Sequence, residues 1–270
     1  MKADLHSHSI YSDGIKTIKE LIYHAKENKL NILALTDHDS VLGCKEFLSY
    51  NSNDLLLIPG IELSCKYKGE RVHIVGLFKN KYIPDEMYEF SNTLLENRRN
   101  RGVIMAQKIN EIYHTNIDMD LLVKENKTIT RKNIVDYLMK YCNIDYDTAS
   151  EYVSDKSKAY VSMERFSVKD GIDFLHKNNC ICIFAHPCLI KDKNKLNEIL
   201  ENDFDGIEAK YANIKNDYEY FKNIAINKNW LISAGSDYHG DSSHGDLGDV
   251  SLNLEEARLI LDKLNIKYDN

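Results

Sequence analysis

Short apolar runs recur along this chain, and nearly every one carries a histidine or carboxylate within it or just past its C-terminal end. Ala3-Asp4-Leu5 leads into His6-Ser7-His8, and Ile32-Leu33-Ala34-Leu35 into Thr36-Asp37-His38-Asp39. Residues 55–58 lead through an expected Pro59-Gly60 turn to Glu62, and His73 lies inside 72–78. Further runs are Cys180–Phe184, followed by Ala185-His186-Pro187; Gly206-Ile207-Glu208-Ala209; and Leu231–Gly235, followed by Ser236-Asp237-Tyr238-His239. Compact apolar runs of this length read as buried strands. Helical spacing fills the gaps, first at Ile18, Leu21, Ile22 and Ala25, later over 168–177, 195–201 and 217–226. The alternation predicts an α/β architecture with parallel strands. In a parallel barrel the strand C-termini share one rim, where such barrels build their active sites. A single buried histidine is more often a satisfied core residue than a ligand, but so many runs ending alike are hard to explain as packing.

The middle of the chain breaks this rhythm. From Asp85 to Tyr160 no strand pattern stands out. Leu94-Leu95, Ile104-Met105, Ile109 and Ile112-Tyr113 mark one long helix, and Ile134, Tyr137, Leu138 and Tyr141 another. Residues 85–160 are therefore expected to be a helical insertion domain in a barrel formed by 1–84 and 161–270.

Composition narrows the function. At 270 residues the chain can bury a full core. Its net charge of −7 argues against an extended nucleic-acid-binding surface while leaving room for a small basic pocket. No apolar run reaches membrane-spanning length and the start does not read as a signal peptide, so the expected compartment is the cytoplasm. The six cysteines form no CxxC pair. Cys180 and Cys182 read as small buried hydrophobes; Cys188, two positions after His186, has nothing nearby in sequence to make it a thiolate.

The chemistry-bearing residues fall in short clusters. On a strand His6 and His8 point the same way, and two converging imidazoles suit zinc, iron or manganese. Asp13 follows shortly after. Asp37 and Asp39 flank His38 and are expected either to orient imidazoles or to be solvated turn residues. His24, His114 and His176 are expected in structural or surface roles, as is His244, although its loop could reach the site.

The order DLHxHS, TDHD, an isolated Glu, His in a strand, AHP and SDxH resembles the polymerase-and-histidinol-phosphatase (PHP) family of metallophosphoesterases, over the whole chain except the insertion. The resemblance implies a distorted (β/α)7 TIM-like barrel with two to three divalent ions (Mn, Fe or Zn). Carried over by motif, His6, His8, Glu62 and Asp237 would hold one ion. Glu62, His73 and His186 would hold a second, with Glu62 bridging, and Asp13, His38 and His239 the third. All nine positions carry the expected residue type, which argues against a metal-free form. Paired divalent ions lower the pKa of a bridging water, so hydroxide attacks the phosphorus and no protein nucleophile is needed.

Substrate recognition rests on fewer residues. Arginines are scarce, and Arg98, Arg99, Arg101 and Arg131 all lie in the insertion. Arginine's planar fork suits phosphate. The insertion resembles that of the branch acting on nucleoside 3′,5′-bisphosphates and short RNA 5′ ends, which implies phosphate binding by Arg98, Arg101 and Arg131; Arg99 reads as solvated. After Gly206-Ile207-Glu208 that branch commonly has a His-Ser or similar pair, whereas this chain has Tyr211-Ala212-Asn213. The expected partner is a phosphorylated small molecule, either a nucleotide or a short oligonucleotide. The alternatives are a small-metabolite phosphatase such as one acting on histidinol phosphate, an amidohydrolase, which would bridge its metals with a carboxylated lysine, and a non-catalytic metal-binding module.

Overall fold

The computed structural model describes residues 2–50, 54–126, 129–163, 165–212, 218–241 and 244–268. They form two compact units, Met1–Ser91 with Arg165–Asn270, and Asn92–Glu164.

In the first unit seven strands form a nearly closed barrel: β1 (Ala3–Asp4), β2 (Ile32–Leu35), β3 (Leu56–Tyr67), β4 (Glu70–Phe78), β6 (Cys180–Phe184), β7 (Gly206–Tyr211) and β8 (Leu231–Gly235). The short β5 (Phe166–Ser167) pairs with β3 off this path. The ring is completed where Leu5 N donates to Ala234 O at 3.1 Å and Ser7 bridges Tyr238. Alternation along the strands sorts side chains into two layers. Ile32, Ala34, Ile181 and Ile183 point into one core with Ile260 and Leu261 of α10 (Leu254–Lys263) and with Leu264 just past its end. Leu33, Leu35, Cys180, Cys182 and Phe184 face a second core shared with α1 (Ile18–Glu27), α2 (Cys44–Ser49), α7 (Val168–Lys177), α8 (Lys193–Ile199) and α9 (Tyr218–Lys228).

Two expectations need correction. The strands are not all parallel: β4 runs antiparallel to both β3 and β6. Nor do Pro59 and Gly60 make a turn. Proline's fixed φ suits extended chain, Pro59 pairs with Leu35 as β2 ends, and β3 continues through it to Tyr67.

The second unit is helical. It takes up α3 (Asp85–Tyr113) from Asn92 onward, with α4 (Met119–Glu125), α5 (Arg131–Cys142) and α6 (Tyr146–Tyr152), around Met105, Ile109, Leu122, Ile134 and Leu138. The first turns of α3 belong to the barrel unit, where Met87 is buried and Ser91 Oγ accepts from Val41 N. No helix among the described residues is long and apolar enough to cross a membrane.

Candidate metal centre

Six segments deliver the nine residues to one rim, with Asp13 coming from the same loop that follows β1. His6 and His8 follow β1 in extended chain, fixed by Ser7 between them, whose Oγ donates to Ala34 O at 2.6 Å and whose O accepts from Thr36 N at 2.9 Å. His38 follows β2 and His186 follows β6. Glu62 lies within β3, and Asp237 and His239 follow β8. His73 reaches the same rim because β4 is reversed, so a residue near its start stands level with the ends of its neighbours; His73 pairs with Ser64. Strained backbone accompanies the function: His186 and Asp237 have φ of 28° and 53°, a region costly for non-glycine residues.

Glu62, fully buried, is the hub. Its Oε2 lies 3.3 Å from His6 Nε2, 3.2 Å from His8 Nε2 and 2.8 Å from His38 Nδ1. Its Oε1 lies 2.8 Å from His73 Nδ1 and 2.9 Å from His186 Nε2. Asp237 Oδ1 completes the first set, 3.3 Å from His6 Nε2 and 3.1 Å from His8 Nε2. Asp13 sits beside His239 (3.3 Å), His38 (3.7 Å) and His8 (3.8 Å). The structure thus brings all nine residues together, with His8 and His38 each near two of the sets.

The donor set fits metal ions. His6 Nε2, His8 Nε2, His38 Nδ1, His73 Nδ1, Glu62 Oε2 and Asp237 Oδ1 are buried yet make no hydrogen bond, an arrangement proteins rarely leave uncompensated. The four nitrogen–oxygen spacings of 3.1–3.3 Å between His6 or His8 and Glu62 or Asp237 approach the edge of a tetrahedron with bonds of about 2.0 Å, which is about 3.3 Å. Electrostatics agrees. Burial opposes charging His6, yet Glu62, Asp237 and Glu208 hold its pKa well above the ordinary value. His38 is likewise pushed up to about 9 against burial, by Glu62, Asp13 and Asp39. Burial opposes ionisation of Glu62, but the surrounding imidazoles hold its pKa well below the usual carboxylate range. This pocket of carboxylates stabilises positive charge.

Residues behind the ligands orient them. Glu208 Oε1 accepts from His6 Nδ1 at 3.1 Å and Oε2 from His186 N at 2.7 Å. Sequence reading assigned Glu208 no role, although its place on a strand beside Gly206 was the available signal. Asp4 accepts from His6 N, Ser236 N and Gly248 N, and burial raises its pKa to about 6. Asp37 acts at one remove: it accepts from Ser9 N, Ser9 Oγ and Ser12 Oγ, and Ser12 Oγ lies 3.4 Å from His8 Nδ1. Asp39 Oδ1 accepts from Ser64 N at 2.6 Å, which ties the loop to β3. His24 and His176 pair with Asp246 and Asp205, and His114 follows α3 with φ of 55°. His244 does reach the site: its ring stacks on His239 at 4.0 Å, and its Nε2 lies 4.0 Å from Asp237 Oδ2. Asn213 lies outside the described residues.

The PHP domain model matches residues 4–229. The chain belongs to the PHP family. It is a phosphoesterase of that family, with buried histidine and carboxylate clusters suited to a metal-dependent site. It is 28% identical to a 5′-3′ exoribonuclease of Haemophilus influenzae over 92% of this chain and 93% of that one. It is also 28% identical to a 3′,5′-nucleoside bisphosphate phosphatase of Chromobacterium violaceum, over 91% and 90%. A crystal structure from Bifidobacterium adolescentis, assigned to the metal-dependent phosphoesterases, shares the fold with a TM-score of 0.79 at 23% identity, covering 96% of this chain and 95% of that one.

Arg98, Arg101 and Arg131 lie in the helical unit. Arg131 Nη1 donates to Asp155 Oδ1 at 2.5 Å, and the residue lines a cavity of about 380 Å³ with Lys132, Asp136 and Tyr146. Arg101 Nε donates to Val161 O at 2.6 Å, and its guanidinium stands 5.5 Å from the Tyr160 ring centre. Arg98 lies on α3.

Proposed function

We propose that this protein hydrolyses phosphate monoesters or diesters of nucleotides, either nucleoside 3′,5′-bisphosphates or the 5′ ends of short oligonucleotides, with two to three Mn, Fe or Zn ions. The observation that carries the reading is Glu62, whose two oxygens face two separate sets of imidazoles. In this reading His6, His8, Glu62 and Asp237 would hold one ion, Glu62, His73 and His186 a second, and Asp13, His38 and His239 a third. Bound ions of this kind supply an activated hydroxide and neutralise phosphoryl charge.

The chain's own residues do the rest. Glu62 would be shared between the first two sets, Glu208 sets the orientation of His6 and of the His186 backbone, and burial of the cluster keeps bulk water from screening it. The nucleotide class draws support from the two relatives, named for a ribonuclease and a bisphosphate phosphatase, and from the insertion's arginines. Arg131, aided by Arg98 and Arg101, is proposed to hold the phosphate that is not cleaved.

A screen on metal-loaded protein tests this, reading inorganic phosphate from monoesters and released mononucleotide from the oligonucleotide. Turnover of adenosine 3′,5′-bisphosphate or a 5′-phosphorylated oligonucleotide well above that of histidinol phosphate is expected. Preference for histidinol phosphate would overturn the nucleotide assignment, and absence of turnover with every ester would overturn the catalytic one.

A further inference from the structure

The two carboxylate oxygens of Asp237 have different surroundings. Oδ1 faces His6 and His8 and makes no hydrogen bond. Oδ2 accepts a hydrogen bond from the Tyr211 hydroxyl at 3.0 Å. Tyr211 stands outside the nine ligands, at the last position of β7, and reaches the site through a break in register. Glu208 pairs with Ser233, yet Lys210 pairs with Ala234, so β7 carries an extra residue between them.

In an unbroken strand Glu208 and Lys210 would share a face and Tyr211 would lie on the other. The bulge resets that alternation. Glu208 meets His6 and His186, Ala209 packs in the strand–helix core, and Lys210 turns to Glu256 at 2.6 Å. Tyr211 thereby returns to the side of Glu208, with its ring 5.6 Å from that of His186. An ordinary phenol keeps its proton at neutral pH, its pKa being about 10, so toward Asp237 Oδ2 Tyr211 is a donor. A carboxylate can bind an ion through one oxygen or two, and a donor on Oδ2 favours binding through Oδ1 alone.

We propose that Tyr211 is a positioning residue that holds Asp237 in one-oxygen coordination, presenting Oδ1 to the ion shared with His6, His8 and Glu62. This rests on the metal-centre reading above.

Cobalt(II) substitution tests it, because four-coordinate cobalt absorbs visible light far more strongly than five- or six-coordinate cobalt. Tyr211→Phe removes one hydroxyl and keeps the ring. The metal-free variant is expected to unfold at the wild-type temperature. Its dissociation constant for the tightest cobalt ion is expected to rise about tenfold, the lower end of what losing an outer hydrogen bond to a ligand costs, and its visible band should weaken. Lys210→Met, on the same bulge but facing away, should leave both readouts unchanged. An equal loss in Lys210→Met would assign the effect to the strand and overturn the proposal. So would wild-type affinity and absorbance in Tyr211→Phe. Failure of the wild-type protein to take up cobalt would instead overturn the metal-centre reading itself.

Discussion

Glu62 lies within 3.3 Å of five imidazole nitrogens, three on one oxygen and two on the other. An amide would put a neutral group with a donor N–H among nitrogens that themselves need an anion. Glu62→Gln is therefore expected to lower kcat more than about a hundredfold, beyond the range for an outer partner, and to strip most bound metal; retained metal and rate, by elemental analysis and phosphate release, would remove Glu62 as the bridge. Asp13→Asn should lower kcat while leaving metal at Glu62, since Asp13 contacts His8, His38 and His239 but not Glu62. Gly235 makes a different demand. A Cβ there would stand 2.2 Å from His6 Cβ and 2.5 Å from Glu208 Oε1. Gly235→Ala is expected to cost about 1–3 kcal/mol by overpacking, read as a lower unfolding temperature, and to weaken metal binding because the displaced side chains belong to the site. Eight of the nine residues stand out in the sequence because they follow or sit in an apolar run, Asp13 being the exception, whereas their division among ions came from the family resemblance. Glu208, Asp4 and Tyr211 were harder, since a carboxylate or phenol that orients a ligand looks like any other polar residue until its partner is known.

Among the elements, β7 and β4 show where periodicity stops informing. The apolar runs located β2, β6 and β8 because buried parallel strands are apolar on both faces. They gave no strand direction, so the reversal of β4 was not visible, and the rule that ligands follow strand C-termini held for His73 only through that reversal. The β7 bulge leaves no mark in Gly206-Ile207-Glu208-Ala209 yet decides which side Tyr211 faces. The helical insertion was legible from its 3.6-residue spacing. Its arginines carry the prediction proper to this scale. A bisphosphate needs a cation for its second phosphate, whereas p-nitrophenyl phosphate has none to hold. Arg131→Ala is expected to reduce kcat/KM for adenosine 3′,5′-bisphosphate roughly ten- to hundredfold, the equivalent of about 1.5–3 kcal/mol for a charge-assisted bond, with little change for p-nitrophenyl phosphate. Equal losses on both would place Arg131 in folding or in the reaction itself.

At the scale of the whole molecule, the cluster couples stability to pH and to metal with opposite signs. Without metal, His38 has a pKa of about 9 against an unfolded value near 6.5, and His6, His186 and His239 are raised as well, each against burial, by neighbouring carboxylates. Groups raised on folding stabilise the fold fully below their unfolded pKa, and that contribution is lost as pH rises through the folded value. Glu62 works the other way: its lowered pKa contributes above about 4.5 and is lost only as pH falls through the folded value. His73, lowered by burial, works against this below about 6.5, but the raised imidazoles outnumber it, so the metal-free protein should be firmest near pH 5–6 and weaken toward pH 9. Metal reverses the trend, because it needs neutral imidazoles and must displace those protons, so its apparent affinity climbs as pH rises toward 9. Ligand binding to the folded state adds stability as its dissociation constant falls below the free concentration. The gap in unfolding temperature between manganese-loaded and chelated protein is thus expected to widen steadily from pH 6 to pH 9. Metal addition near pH 7.5 in weak buffer should release protons. A gap that stays constant or narrows, with no proton release, would show that these imidazoles are not where the metal binds.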